Sequence, residues 1–257
     1  MIVLRRIERY LYPLITSVVL ISIWNIASGF YPSDLLPSPL SVTLTLKDLL
    51  MGGTLPENIG VSLYRFGAGY LAAVATALPL GLLFGHYSRV WFAFDPIVQL
   101  LRPISPIAWL PLIVLWFGIG DLPTMVIVYI ASFYPILLST VAAVRNVDPL
   151  YINVARNFGL SERAVLCKIV IPTSFPYMII GMQIALGSGW VFLVVGEMLG
   201  VNSGLGYMII DGRNSLRYEV VIAAIILIGI IGLILSKSLE ASEKKIRRRW
   251  RVNNGTT

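Results

Sequence analysis

Six apolar runs punctuate this chain, at 11–30, 61–85, 97–117, 124–144, 177–199 and 220–235. Each is near the length of about 20 residues that a helix needs to cross the hydrocarbon core of a bilayer. Runs of this kind leave little choice of fold. Lipid offers no hydrogen bonds, so backbone polar groups must be satisfied within each segment, and the segment becomes a helix. Composition agrees, with 57% hydrophobic and 13% charged residues among the 257 and a mean hydropathy of +0.81. Soluble domains carry about 45–50% and about 25% respectively. The expected fold is an all-α integral membrane protein with six transmembrane helices.

The net charge of +7 points to orientation rather than to nucleic acid, because the basic residues lie in short segments between apolar runs and form no continuous surface. Arg5, Arg6 and Arg9 precede the first run, and Arg89 precedes the third. Arg145, Arg156, Arg163 and Lys168 separate the fourth from the fifth. Lys237, Lys244, Lys245, Arg247, Arg248, Arg249 and Arg251 follow the sixth. With six spans all of these fall on one side, while Lys47, Arg65, Arg213 and Arg217 fall on the other. The positive-inside rule then places both termini in the cytoplasm. The basic prelude imitates a signal peptide, but its apolar run is too long for one, so the first span is read as retained. The basic tail is expected to lie on anionic lipid. The sequon Asn254-Gly255-Thr256 would be idle in a cytoplasmic tail. A single cysteine, Cys167, and a single histidine, His86, exclude an internal disulfide and a cysteine- or histidine-rich metal site.

The chain divides into a terminus and first helix (1–30), a connector (31–60), a five-helix core (61–235) and a tail (236–257). The connector holds a short helix capped by Ser38 or Ser41. The core contains a long polar loop, 145–176, whose grammar is helical. Asp148 is placed as an N-cap, with Pro149 in the first helical position. Gly159 can end that helix in a left-handed conformation. Ser161 and Glu162 suit the start of a second short helix, and Pro172 and Pro176 mark a break before the fifth span. Leu150, Val154 and Phe158 form an apolar stripe at i, i+4, i+8. That stripe either lies on the membrane or its own bundle, or docks into a soluble partner.

Other features sit inside the spans. The third, with Pro103, Pro106, Pro111 and Arg102, reads as a bent packing helix, with a broken helix lining a pathway as the sharper reading. Arg102, near the inner end of that span, either snorkels to the interface or adds positive potential to an anion route. Arg65 and Glu197, at the same side of spans two and five, either pair near an outer gate or sit separately at headgroup level. In "MQIALGSGWVFLVVGE", Gln183, Ser188 and Trp190 fit close helix packing or a solute route gated by Trp190. "GVNSGLGYMI" lacks the lysine of a phosphate loop and is read as a re-entrant turn or gating loop. No G-x-x-x-x-G-K-[ST] occurs anywhere, so any nucleotide chemistry would belong to another chain.

The loop "NVARNFGLSERAVLCKIVIP" resembles the cytoplasmic signature of type I ABC importer permeases, Glu-Ala-Ala, three residues, Gly, nine residues, Ile-x-Leu-Pro. Ala155, Gly159, Ile169 and Pro172 match it; Asn153, Val154 and Ile171 depart. "LPSPLSV", "SLYRFGAGY", "FDPIVQLLRPISPIAWLPLIVLWFGIGD", "VRNVDP" and "VVGEMLGVNSGLGYMI" are similar to the nitrate/sulfonate/taurine/bicarbonate branch, over about 35–235. The resemblance implies a permease of type I fold that handles a small solute such as nitrate, bicarbonate, taurine or an alkanesulfonate. It implies a second permease copy, an extracytoplasmic solute-binding protein, and cytoplasmic ATPase subunits that hold the ATP and Mg, with no cofactor on this chain. It also implies that Leu150, Asn153, Val154, Ala155, Arg156, Phe158, Gly159, Leu160, Ile169 and Pro172 couple the spans to the ATPase. A secondary transporter or channel driven by an ion gradient is the rival, but the internal repeats common in that class are not seen here.

Overall fold

The computed structural model describes residues 2–253 other than Ser33, and side chains over 11–244 with the same exception. The basic side chains at 5–9 and 245–251 and the sequon at 254–256 therefore lie outside what is described. The apolar runs are helices, and among the described residues there is no strand. In chain order the elements are α1 (Ile2–Ser28), α2 (Pro39–Met51), α3 (Thr54–His86) and α4 (Ser88–Leu101). A 3₁₀ turn (Pro106–Trp109) leads into α5 (Leu110–Phe117), followed by α6 (Asp121–Arg145), α7 (Pro149–Asn157) and α8 (Glu162–Val165). A π-helical turn (Leu166–Val170) then joins α9 (Ile171–Gly200), with α10 (Leu205–Asn214) and α11 (Tyr218–Asn253) completing the chain. Five helical segments are long and apolar enough to cross a membrane singly, and α4 with the 3₁₀ turn and α5 makes a sixth, bent pair.

Small residues decide which helices touch. Along α3, Gly69, Ala73, Ala77, Gly81 and Gly85 recur every fourth position, which is one stripe of a helix, and all are buried. A Cβ on Gly81 would come within 2.6 Å of Thr140 Cβ, and one on Gly85 within 2.6 Å of Val144 Cβ. Gly69 faces Val128 in the same way. The sequence offset is the same at all three contacts, so α3 and α6 run parallel with their backbones nearly touching, as small-residue seams allow. An adjoining face of α6 meets α9 running the opposite way, with Gly181 against Ser139, Gly189 against Ser132 and Gly196 against Thr124. Helix α6 is thus the centre of the bundle. The main described contacts of α1 are with α2 and the segment just before it, where Trp24 Nε1 donates to Pro37 O at 3.0 Å, and most of the described apolar side chains of α1 are exposed.

Several expectations are corrected. The third span is not a gently bent helix: α4 and the following pair of turns meet at 83° across Arg102–Ser105. Pro103 and Pro106 cannot donate hydrogen bonds there, so the ladder cannot continue. No break occurs at Pro172 or Pro176; helical backbone runs unbroken from Glu162 to Gly200. The reason is the π turn immediately before Pro172, whose extra residue opens the ladder where the ring would press on the carbonyl four positions back. Helix α3 begins at Thr54 rather than 61, which puts Arg65 about three turns into the helix rather than at its start, and α11 continues as helix well past 235 into the tail. Ser38, not Ser41, caps α2, its Oγ accepting from Ser41 N at 3.2 Å.

Candidate functional site

Three polar features sit at three heights of the bundle. The first is the loop between α6 and α9. Asp148 Oδ1 accepts from Leu150 N at 2.8 Å and Pro149 opens α7. The helix ends as Gly159 turns to φ 77°, with Leu160 N bonded to Ala155 O and Gly159 N to Arg156 O, the two bonds of a Schellman ending. A second helix restarts on Ser161, whose Oγ accepts from Ala164 N.

The two faces of α7 differ. Ala155 is buried, and with Ile152, Leu160 and Ile169 it packs on Val144, Val147, Val165 and Val170. These residues anchor the loop to the end of the bundle, and Pro172 lies half-buried in the helix beyond. Leu150, Tyr151, Val154 and Phe158 face away and are exposed, Phe158 by 81%, as is Asn153 between them. The stripe therefore does not bury itself on its own bundle.

Arg156 holds both carboxylate oxygens of Glu162, at 2.9 and 3.2 Å, and this contact raises the arginine's pKa above its ordinary value. His86, the last residue of α3, reaches the same carboxylate, Nε2 to Oε2 at 3.5 Å. Nothing in the sequence connects His86 with the loop. The signal would have been its place at the end of α3, since the constant offset of the α3–α6 seam brings His86 level with the end of α6.

The second feature lies at the opposite end. Arg65 and Glu197 do pair, Nη1 to Oε1 at 3.0 Å, with side chains 2% and 0% exposed. Sequence reasoning missed the rest of the cluster. Arg65 Nε and Nη2 hold Asp121 Oδ1 at 2.8 and 2.6 Å, Nη1 also donates to Ser203 O at 2.7 Å, and Nη2 to Ser203 Oγ at 2.7 Å. Four of the five guanidinium N–H groups donate hydrogen bonds, and Nη2 also ion-pairs with Asp121. Glu197 accepts in turn from Ser62 Oγ at 2.8 Å and from Gly206 N at 2.9 Å. Ser62 Oγ accepts from Leu205 N at 2.9 Å, and Asn58 Oδ1 from Gly204 N at 2.6 Å. The first N–H groups of α10 are thus capped by α3 and α9, and a carboxylate at a helix N-terminus is favourable. Gly204 sits at φ 102°, and any Cβ there would overlap the Glu197 carboxylate. The glycine-rich segment after α9 is a clamped turn.

The third feature is Arg102, and here the expected depth is corrected. Its side chain lines a cleft of about 200 Å³ with Ile104 and Pro106 of the break, Ile130 and Tyr134 of α6, and Phe192 of α9. Residues 130–135 are the middle of α6, so Arg102 is at mid-height and not near one end. The other candidates at this level make packing contacts. Trp190 is buried, donates from Nε1 to Ile228 O at 3.0 Å and meets Phe66 edge-on. Ser188 Oγ donates to Ala131 O at 3.0 Å, and Gln183 Nε2 to Glu243 Oε2 at 3.2 Å.

A central helix flanked by small-residue seams, a broken span and a helix–Gly–helix loop on the bundle end together define a multi-pass transport permease. The family described as "Binding-protein-dependent transport system inner membrane component" matches residues 77–251, and the chain belongs to that family of ABC importer permeases. A putative ABC transporter permease of Methanocaldococcus jannaschii is 41% identical over 77% of this chain and 75% of its own length. The taurine transport system permease TauC of Escherichia coli is 34% identical, covering 90% and 86%. The nitrate import permease NrtB of Leptolyngbya laminosa is 34% identical with the same coverage. Among solved structures, an inward-facing MetNI methionine ABC transporter chain aligns with a TM-score of 0.62 at 17% identity, covering 75% of this chain and 94% of that one. At that identity it speaks to the fold alone.

Proposed function

We propose that this permease carries a small oxyanion or sulfonate, of the kind named for its nitrate and taurine relatives, and that ATP bound with Mg on a separate ATPase subunit drives it. An extracytoplasmic binding protein delivers the solute to the Glu197 end of the bundle. Two copies of this chain enclose the route, and both termini face the cytoplasm, as the distribution of Lys and Arg supports. The α6–α9 loop is the lever: Leu150, Asn153, Val154, Arg156 and Phe158 enter a groove of the ATPase. Ala155, Gly159, Leu160, Ile169 and Pro172 hold the loop's shape and join it to α9.

The observation that carries this reading is the exposed apolar face of α7, Leu150, Tyr151, Val154 and Phe158, on a helix whose opposite face is fixed to the bundle. An amphipathic helix presented in this way suits a groove in a partner. The test is reconstitution of the permease with its ATPase and binding protein in proteoliposomes. Uptake of nitrate or taurine is expected to need internal ATP. Phe158→Asp is expected to abolish ATPase binding in co-purification while leaving the permease's own unfolding temperature unchanged. Accumulation on an ion gradient with no ATPase would overturn the reading.

A further inference from the structure

We infer that Arg102 forms an anion-recognition site at the break of the third span, where the charged headgroup of the solute pauses in transit. The inference rests on the solute class proposed above and adds the place where this chain recognises it.

Depth is the first argument. At about 1.5 Å per residue, Ile130 and Tyr134 lie near the middle of α6, so the cleft they share with Arg102 is far from both membrane faces. An arginine there is costly unless it faces water, a counter-charge or protein. No hydrogen bond or ion pair engages the Arg102 side chain among the described residues, and it is exposed. Lipid is therefore a poor neighbour for this surface. A water-filled route satisfies it, and an anion in that route satisfies it better.

Chemistry is the second. The cleft is lined by one cation, one hydroxyl (Tyr134) and otherwise apolar side chains, with no carboxylate to neutralise the guanidinium. Few polar groups among apolar walls is the usual build of a small-ligand site, and guanidinium matches the planar or tetrahedral oxygens of an oxyanion. A volume of about 200 Å³ leaves room for a small hydrated anion. Arg65 offers the contrast: it is 2% exposed, two carboxylates neutralise it and four of its donors are committed to Asp121, Glu197 and Ser203, so it is closed to a solute. Of these two buried-segment arginines, only Arg102 is available.

The experiment labels a cysteine in the cleft. Cys167→Ser removes the native thiol, Ile104→Cys places one beside Arg102, and the permease–ATPase complex is held in lipid nanodiscs. Reaction rates with 2-sulfonatoethyl methanethiosulfonate and with its trimethylammonium counterpart are each normalised to free cysteine. The anionic reagent is expected to react about tenfold faster than the cationic one, as local positive potential accelerates encounter. Arg102→Gln should erase that preference and Arg102→Lys should retain it. Millimolar methanesulfonate should slow labelling in the arginine and lysine forms only. A thiol at 104 inert to both reagents, or a preference that survives Arg102→Gln, overturns the site. Should the glutamine variant fail to assemble, the lysine variant and methanesulfonate protection still decide. Labelling needs no ATP, so it separates the two readings. ATP-driven uptake without anion preference removes this site and leaves the proposed function standing, and the converse result does the reverse.

Discussion

Arg65→Met strands the fully buried Glu197 carboxylate, and removal of one partner of a buried ion pair costs about 3–5 kcal/mol. A large fall in the unfolding temperature of the detergent-solubilised permease is the expected readout. Reversing both charges, Arg65→Glu with Glu197→Arg, should not restore it. Glu197 accepts from Ser62 and Gly206 as well as from Arg65, and Gly204 and Gly206 leave no room there for a longer side chain. An arginine would point donors at donors. The pair was legible in the sequence only as one of two alternatives, because opposite charges at one end of two spans can also sit separately at headgroup level; the structure shows them paired. Asp121, Ser62 and Ser203 were not legible, since nothing local tells a rim aspartate that it shares an arginine with a glutamate from a different helix. The caps at Asp148 and Gly159 were legible for the opposite reason: their chemistry is settled within five residues of chain.

At the scale of elements, the α3–α6 seam makes two contrasting demands. Gly81→Leu drives a side chain into Thr140 and the backbone of Leu137, and should separate the helices and destabilise the protein by several kcal/mol, as overpacked cores do by about 1–3 kcal/mol or more. Thr140→Val, at a hydroxyl with no hydrogen-bond partner among the described residues, should leave stability unchanged or slightly raised, because no bond is lost. Thermal unfolding of both variants checks the pair. The four-residue period of small residues in α3 was readable in the sequence, and it identifies the seam without naming its partner. The π turn before Pro172 was not readable: proline predicts a fault in the ladder, yet whether the fault becomes a break or a widened turn depends on packing against α6. The same ambiguity affected the third span and was resolved the other way.

For the whole molecule, a core built on α3, α6 and α9 is distinct from an added helix, α1. Deleting residues 1–30 removes a helix whose main described contact is with α2, so the remaining chain is expected to assemble in the membrane with its unfolding temperature within a few degrees of the intact protein. A collapse of yield or stability would show that α1 carries contacts beyond those seen. Number and type of spans followed from hydrophobic runs alone, because the bilayer fixes both. Their arrangement did not, since apolar side chains serve equally against lipid and against a neighbour.

The absence of a joint between the α6–α9 loop and Glu197 has a mechanical corollary. Helix α9 alone is 30 residues, about 45 Å at about 1.5 Å per residue, and it is pressed along its length on α6. A rod of that kind cannot fold in the middle; it can only tilt. If its loop end is displaced, its far end swings too, and because the clamp ties Glu197 to Arg65 of α3 and through it to Asp121 of α6, the three helices tilt as one body. One see-saw would then shut one mouth of the route in the same stroke that opens the other.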